Sequence, residues 1–290
     1  MQNYVIYTDS SCDLPKDMVE RFNLKVLQLE VIIDDNPPVL NNQLDIKDFY
    51  NQLREGALAK TAAVTPGYVE ENMRKTLEEG RDILYLGFSS GLSTTYNNAV
   101  MMMEELQQEF PERELYHIDT LCASLGQGLL VYYAALQKEK GVGIKELYDQ
   151  IKVLKDQVHH QVTVNDLFFL KRGGRIDAVT AIAGSMLNIK PIIHMDEKGC
   201  LQTIGKVRGR KNALKELITK MKANENLKFF DSVFICHSDC MEDARTLEQM
   251  VRENFQVSEV IIGDIGPVIG AHTGPGTVAL FYFGTTMKGH

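Results

Sequence analysis

Residues 82–96 read Asp82-Ile83-Leu84-Tyr85-Leu86-Gly87-Phe88-Ser89-Ser90-Gly91-Leu92-Ser93-Thr94-Thr95-Tyr96, and a helical pattern carries on from there to Phe110. The apolar run Asp82–Phe88 predicts a buried strand. Ser89–Ser93 is a loop of small and hydroxyl residues, and Thr94–Phe110 predicts a helix. A strand, a short polar loop and a helix form the repeating unit of a parallel sheet covered by helices. The same unit recurs on both sides of this stretch. Upstream, Tyr4–Tyr7 predicts a strand ending at Thr8-Asp9-Ser10-Ser11, with a helix from Pro15 and a further apolar run over Lys25–Ile33. Asp45 can cap a helix through about Glu55. Thr65 and Pro66 suit the cap and first position of a helix that stops near Gly80. Downstream come a strand over Glu114–Ile118, a helix over Ala123–Lys140 and another from Ile144 to about His160.

The second half has a different grammar. Pro191–Met195 and Leu201–Val207 flank Asp196-Glu197-Lys198-Gly199, the signature of a hairpin. A helix over Asn212–Ala223, a strand over Ser232–Cys236, a helix over Met241–Phe255 capped by Asp239 and a strand over Ser258–Asp264 follow. Gly266–Gly276 predicts an irregular glycine-rich loop before a last strand, Thr277–Phe283. Hairpins mixed with crossover helices imply a mixed sheet. The expected division is therefore 1–160, a parallel-sheet α/β domain, and 161–290, a smaller mixed-sheet α/β domain.

Composition narrows the function. The chain has 290 residues, is 44% hydrophobic and 24% charged, and carries a net charge of −8. An acidic surface is poorly suited to neutralising phosphates in bulk, so nucleic acid is not an expected partner. No stretch approaches the ~20 apolar residues of a membrane span, so stable membrane insertion is not expected. Met1-Gln2-Asn3-Tyr4 shows no basic or apolar leader. Five scattered cysteines suit a reducing compartment better than a disulfide framework. These features together place the expected location in the cytoplasm.

Four loops concentrate groups that could hold an anion. In Ser89–Thr95 the helix start offers free N–H groups with hydroxyls beside them; read alone, Ser93 is better explained as a cap. In Lys60–Gly67, Thr65 is accounted for by capping, which leaves Thr61 free to face a ligand or to bond backbone at a strand end. In Ile265–Gly276 four glycines and two prolines surround His272, which can donate to an oxyanion at neutral pH or sit exposed in a turn. Lys171-Arg172-Gly173-Gly174-Arg175 and Lys206–Lys211 are basic spots suited to a phosphate-bearing partner or to an acidic protein surface, or are solvated charge at helix ends.

Other patterns fail as sites. Cys236-His237-Ser238-Asp239-Cys240 lacks a second metal-binding pair at a recognised spacing, so no metal is expected. His159-His160 is explained as a helix end. Asp9-Ser10-Ser11-Cys12 has no histidine nearby in sequence to activate a nucleophile. Gly87 and Gly91 form neither a phosphate loop nor a dinucleotide fingerprint, so no ATP, NAD or other cofactor is expected.

The ordered set Thr8–Pro15, Lys60-Thr61 to Pro66-Gly67, Ser89-Ser90-Gly91-Leu92-Ser93, Lys171–Ile176, Lys190-Pro191-Ile192-Ile193 and His272-Thr273-Gly274-Pro275-Gly276 resembles the DegV family, of which the FakB-type fatty-acid-binding proteins are members. The match spans nearly the whole chain. The resemblance implies a Rossmann-like first domain, a mixed-sheet second domain and a long-chain fatty acid bound between or within them. It implies that Thr61, Ser93 and His272 hold the carboxylate, and that Arg175 and Arg208 serve the head group or the docking of a partner. That partner would be an ATP-dependent fatty-acid kinase, with this chain the non-catalytic carrier. Two departures stand out: Thr94 replaces a glycine common in the family, and Ala62-Ala63 replaces Ser-Gln. The fold also resembles the substrate domain of dihydroxyacetone kinase. That alternative would make His272 the anchor of a small carbonyl compound.

Overall fold

A computed structural model describes residues 3–165, 167–176, 188–224 and 230–284. In chain order its elements are Tyr4–Asp9 (β1), Lys16–Arg21 (α1), Lys25–Leu27 (β2), Glu30–Ile33 (β3), Val39–Leu40 (β4), Ile46–Arg54 (α2), Ala59–Ala62 (β5), Pro66–Glu78 (α3), Asp82–Gly87 (β6), Thr95–Glu109 (α4), Leu115–Asp119 (β7) and Leu125–Glu139 (α5). They continue with Ile144–Leu154 (α6), Val158–Thr163 (β8), Phe168–Arg172 (α7), Ile189–Met195 (β9), Leu201–Arg208 (β10), Arg210–Asn224 (α8), Ser232–His237 (β11), Met241–Asn254 (α9), Glu259–Asp264 (β12), Pro267–Thr273 (α10) and Val278–Phe283 (β13).

Four strands in the order β2-β1-β6-β7 form a wholly parallel sheet. Successive side chains point to opposite faces, and both faces are buried. Tyr4, Ile6, Leu84 and Leu86 join a core with α5 and α6, while Val5, Tyr7, Ile83 and Tyr85 join a core with α3 and α4. That double coverage is why these strands read as unbroken apolar runs. Six strands in the order β10-β9-β8-β13-β11-β12 form a mixed sheet, in which only β11 and β12 pair in parallel. Helix α5 lies between the two sheets. Its Leu125, Leu129 and Leu130 share one core with Leu84 and Leu86 and with Phe234, Phe281 and Phe283. Helices α8 and α9 cover the far face of the mixed sheet.

Side-chain caps set the starts of α2 and α3. Asp45 accepts from the Asp48 N–H at 2.9 Å and Thr65 accepts from the Tyr68 N–H at 3.4 Å, so both caps form where expected.

Four expectations change. The helix expected from Ile144 to His160 ends at Leu154, and 158–163 is strand β8, so His159 and His160 are sheet residues. Pairing of β8 with β13 satisfies its backbone and overrides the helical pattern. The apolar run Lys25–Ile33 divides between the parallel sheet (β2) and a small antiparallel sheet, β4-β3-β5, that carries Thr61. Asp239 does not cap α9. It sits at φ +48° and pairs with Arg54 at 2.6 Å, while Cys240 takes the cap position. Gly266–Gly276 is not all loop, because Pro267–Thr273 forms α10 with proline in its first turn. Gly270 lets that helix approach α2: a Cβ there would collide with the Tyr50 hydroxyl.

Candidate functional site

The link between β2 and β3, the end of β5, the carboxyl end of β6, the start of α5, helix α10 and the mixed sheet enclose a cavity of about 450 Å³. That volume is in the range of small-molecule sites. Its walls are mainly apolar: Leu29, Phe88, Leu92, Val162, Leu170, Ile193, Met195, Leu201, Ile265, Val268, Ile269, Ala279 and Phe281. Along β13 the lining runs from Thr277 to Phe281, four residues of extended chain or roughly 13 Å. His160 closes the Phe281 end. Its Nε2 accepts the Ala123 N–H at 3.2 Å, and its ring meets Phe281 edge-on at 5.1 Å.

Polar side chains interrupt these walls. Thr61 on β5, Ser93 in the β6–α4 loop and His272 at the last turn of α10 all line the same cavity, although Thr61 and His272 are 211 residues apart in the chain. Thr61 Oγ1 and His272 Nε2 lie 2.8 Å apart. Ser93 fills two roles. Its Oγ accepts the Thr95 N–H at 3.2 Å at the start of α4 and bonds Thr95 Oγ1 at 3.0 Å, and it also faces the cavity. Thr94, not Ser93, occupies the cap position of α4, and no side-chain cap bond forms there.

His272 is neutral at physiological pH. Burial, aided by the nearby Arg175 and Arg172 guanidinium groups, lowers its pKa from 6.5 to about 4. Its Nδ1 is buried without a partner among the described residues and lies against Gly173, where a Cβ would collide with it. A proton on Nδ1 would be a stranded donor. The hydrogen-bond pattern therefore assigns the proton to Nε2, which donates to Thr61 Oγ1 and leaves the Thr61 O–H free to donate.

Arg175 also lines the cavity. Its Nε donates to the Leu92 carbonyl at 3.2 Å and its Nη1 to the Gly173 carbonyl, so the guanidinium is held in place in the cavity wall. Arg208, at the end of β10, is exposed and is not part of the lining. The remaining candidates disperse. Cys236 meets Ser124 at 3.3 Å, His237 faces Asp264 at 3.5 Å, and Cys240 contacts the Thr277 carbonyl at 3.3 Å, so this trio does not converge. Burial pushes the Cys12 thiol up to about 12, which keeps it protonated and poorly nucleophilic. The Asp9 carboxylate is structural: it accepts from the Phe88 N–H at 2.8 Å and the Tyr85 hydroxyl at 3.0 Å, tying β1 to β6. Reading along the chain missed Ser124, Cys236 and His160 as cavity walls. Each belongs to a segment whose local pattern points elsewhere, and only sheet pairing brings them inward.

Fold and cavity together define an α/β protein whose parallel and mixed sheets flank a mainly apolar chamber that Thr61, Ser93 and His272 also line. The chain belongs to the DegV family: the family model, described as "Uncharacterised protein, DegV family", matches residues 3–285. It is 42% identical over 290 residues to a DegV domain-containing protein of Clostridium perfringens, covering 99% of this chain and 100% of that one. A DegV family protein of Thermus thermophilus, described for its fatty-acid binding, superposes with a TM-score of 0.87 at 29% identity, over 98% of this chain and 100% of that one. Bacillus subtilis DegV, described as a fatty-acid-binding protein, superposes with a TM-score of 0.83 at 25% identity, over 98% and 100%. Among the described residues no helix is long and apolar enough to cross a membrane.

Proposed function

We propose that this chain binds a long-chain fatty acid with its tail in the apolar chamber and its carboxylate at Thr61, Ser93 and His272. The observation that carries the reading is that those three side chains line one mainly apolar cavity, with Thr61 Oγ1 2.8 Å from His272 Nε2. Transfer of a tail from water contributes ~0.8 kcal/mol per methylene, or ~11 kcal/mol gross for about fourteen. Lost freedom on association offsets a large share. The carboxylate must be paired once it leaves water. Thr61 and Ser93 offer hydroxyls, and Arg175 and Arg172 add positive potential without a fixed ion pair. A chamber of this shape suits an amphiphile better than a small carbonyl compound held by His272.

In this reading the chain is a non-catalytic carrier in the cytoplasm. A carboxylate held by neutral donors keeps a lone pair for attack. A kinase partner supplying ATP and Mg²⁺ would accept that attack at the γ-phosphorus, giving an acyl phosphate and ADP. Exposed Arg208 and Lys206 on β10 would meet an acidic surface of that partner.

Three measurements test this. Organic extracts of protein purified under native conditions should yield an acyl chain by mass spectrometry, and Thr61→Ala combined with Ser93→Ala should lower retention while the chain stays folded. No acyl chain in the extract and no uptake of added fatty acid would refute lipid carriage. Addition of the kinase subunit and ATP should then produce acyl phosphate, and its absence would refute the carrier role alone.

A further inference from the structure

A second cavity, of about 700 Å³, has walls that adjoin those of the first. Ser124, Cys236 and Ile265 face the first, while Asp13, Asp264 and Gly266 face the second. The walls of the two spaces touch at a hydrogen bond from Ser124 Oγ to the Asp13 carboxylate. The other Asp13 oxygen accepts the Gly266 N–H at 2.9 Å.

Both members of this pair carry unfavourable features. Ser124 adopts φ +52° and ψ −142°, a region that glycine fills at far lower cost. Asp13 is at φ +53°. Among the described residues, the charges acting most on its buried carboxyl are those of Asp264 at the end of β12 and Asp9 on β1, and Cys12, Tyr50 on α2 and Cys236 on β11 also lie within its field. Burial, with Asp264 and Asp9 adding to it, raises its pKa to about 7. A leucine could close the same gap without a buried acid, and a glycine at 124 would relax the backbone. The pair is therefore not explained by stability.

We infer that Asp13 and Ser124 form the partition that sets the longest acyl chain the site accepts, a role that rests on the lipid reading above. Ser124 lines the chamber next to Ala123, whose N–H donates to His160 Nε2 beside Phe281. A tail pressing past it would part the Ser124 hydroxyl, the Asp13 carboxyl and the Gly266 N–H, leaving buried polar groups unpaired. Beyond the partition the second cavity offers apolar lining from Leu14, Val19, Leu44, Ile46 and Ile262. Once the partition is removed, that surface becomes the continuation of the tail site.

The test is a competition series, in which saturated acids from lauric to behenic displace radiolabelled palmitate from wild type, Asp13→Ala, Ser124→Gly and Asp13→Asn. Wild-type affinity should climb with length and then fall at a limit. In Asp13→Ala and Ser124→Gly that limit should move to longer acids, each further methylene tightening binding by about fourfold. Asp13→Asn, which keeps both hydrogen bonds, should retain the wild-type limit. If Asp13→Ala does not fold, Ser124→Gly decides, because its backbone is relieved by the change. Folded variants that bind palmitate with an unchanged limit would overturn the partition. Failure of the wild type to bind any acid in the series would overturn the lipid reading itself.

Discussion

Gly173 and His272 show how one missing carbon can position an imidazole. The imidazole is neutral, its Nε2 meets Thr61, and its Nδ1 side rests where a side chain at 173 would stand. Gly173 has φ −74°, so alanine is conformationally acceptable there and only the added carbon matters. Gly173→Ala should push the ring away from Thr61. A hydrogen bond to a charged group is worth about 1.5–3 kcal/mol, so fatty-acid affinity should fall by roughly 10- to 100-fold. Isothermal titration of the variant tests this, with circular dichroism to show an intact fold; unchanged affinity would mean that the imidazole does not position the ligand.

The β9–β10 hairpin acts as a clasp over the β6–α4 loop. Ser89 Oγ donates to the Gly199 carbonyl at 2.7 Å, and Gly199 sits at φ +73° at the turn. A side chain at 199 would collide with the Ser89 hydroxyl as well as strain the backbone. Gly199→Ala should therefore cost about 1–3 kcal/mol in urea denaturation. It should also speed fatty-acid release in stopped-flow measurements, because Met195 and Leu201 of the same hairpin line the cavity. Equal release rates would make the clasp purely structural. Elements of this kind differ in how much of them is visible along the chain. The hairpin and the caps at Asp45 and Thr65 are short-range hydrogen-bond patterns and could be read directly. Strand β8 and helix α10 could not: β8 is a strand because β13 supplies its hydrogen bonds, and α10 depends on Gly270 meeting Tyr50.

Across the whole molecule, two buried groups make stability respond to acid in opposite senses. His272 has a folded pKa of about 4 against 6.5 for the free side chain. Between those values the unfolded chain binds a proton that the folded chain refuses, so its contribution to stability falls as pH drops from about 6.5 to about 4. His117, His194 and His237, also lowered by burial, act in the same sense. Asp13 is raised from 3.8 to about 7, so the folded chain binds the extra proton and this contribution grows as pH falls through the same window. Urea midpoints measured from pH 7 to pH 4 should show His272→Gln gaining on wild type as acid is added. Asp13→Asn should lose ground over the same range, and curves parallel to wild type would refute the assigned shifts. The amino-acid sequence by itself determined the alternation of strand and helix, the two kinds of sheet and the loops that carry Thr61, Ser93 and His272, because periodicity, caps and turns act between near neighbours. Only the tertiary structure decided that those loops share one chamber, that His160 closes it and that Asp13 meets Ser124 across 111 residues. Such meetings depend on sheet order and on the packing of α5 between two sheets, and neither leaves a local trace in the chain.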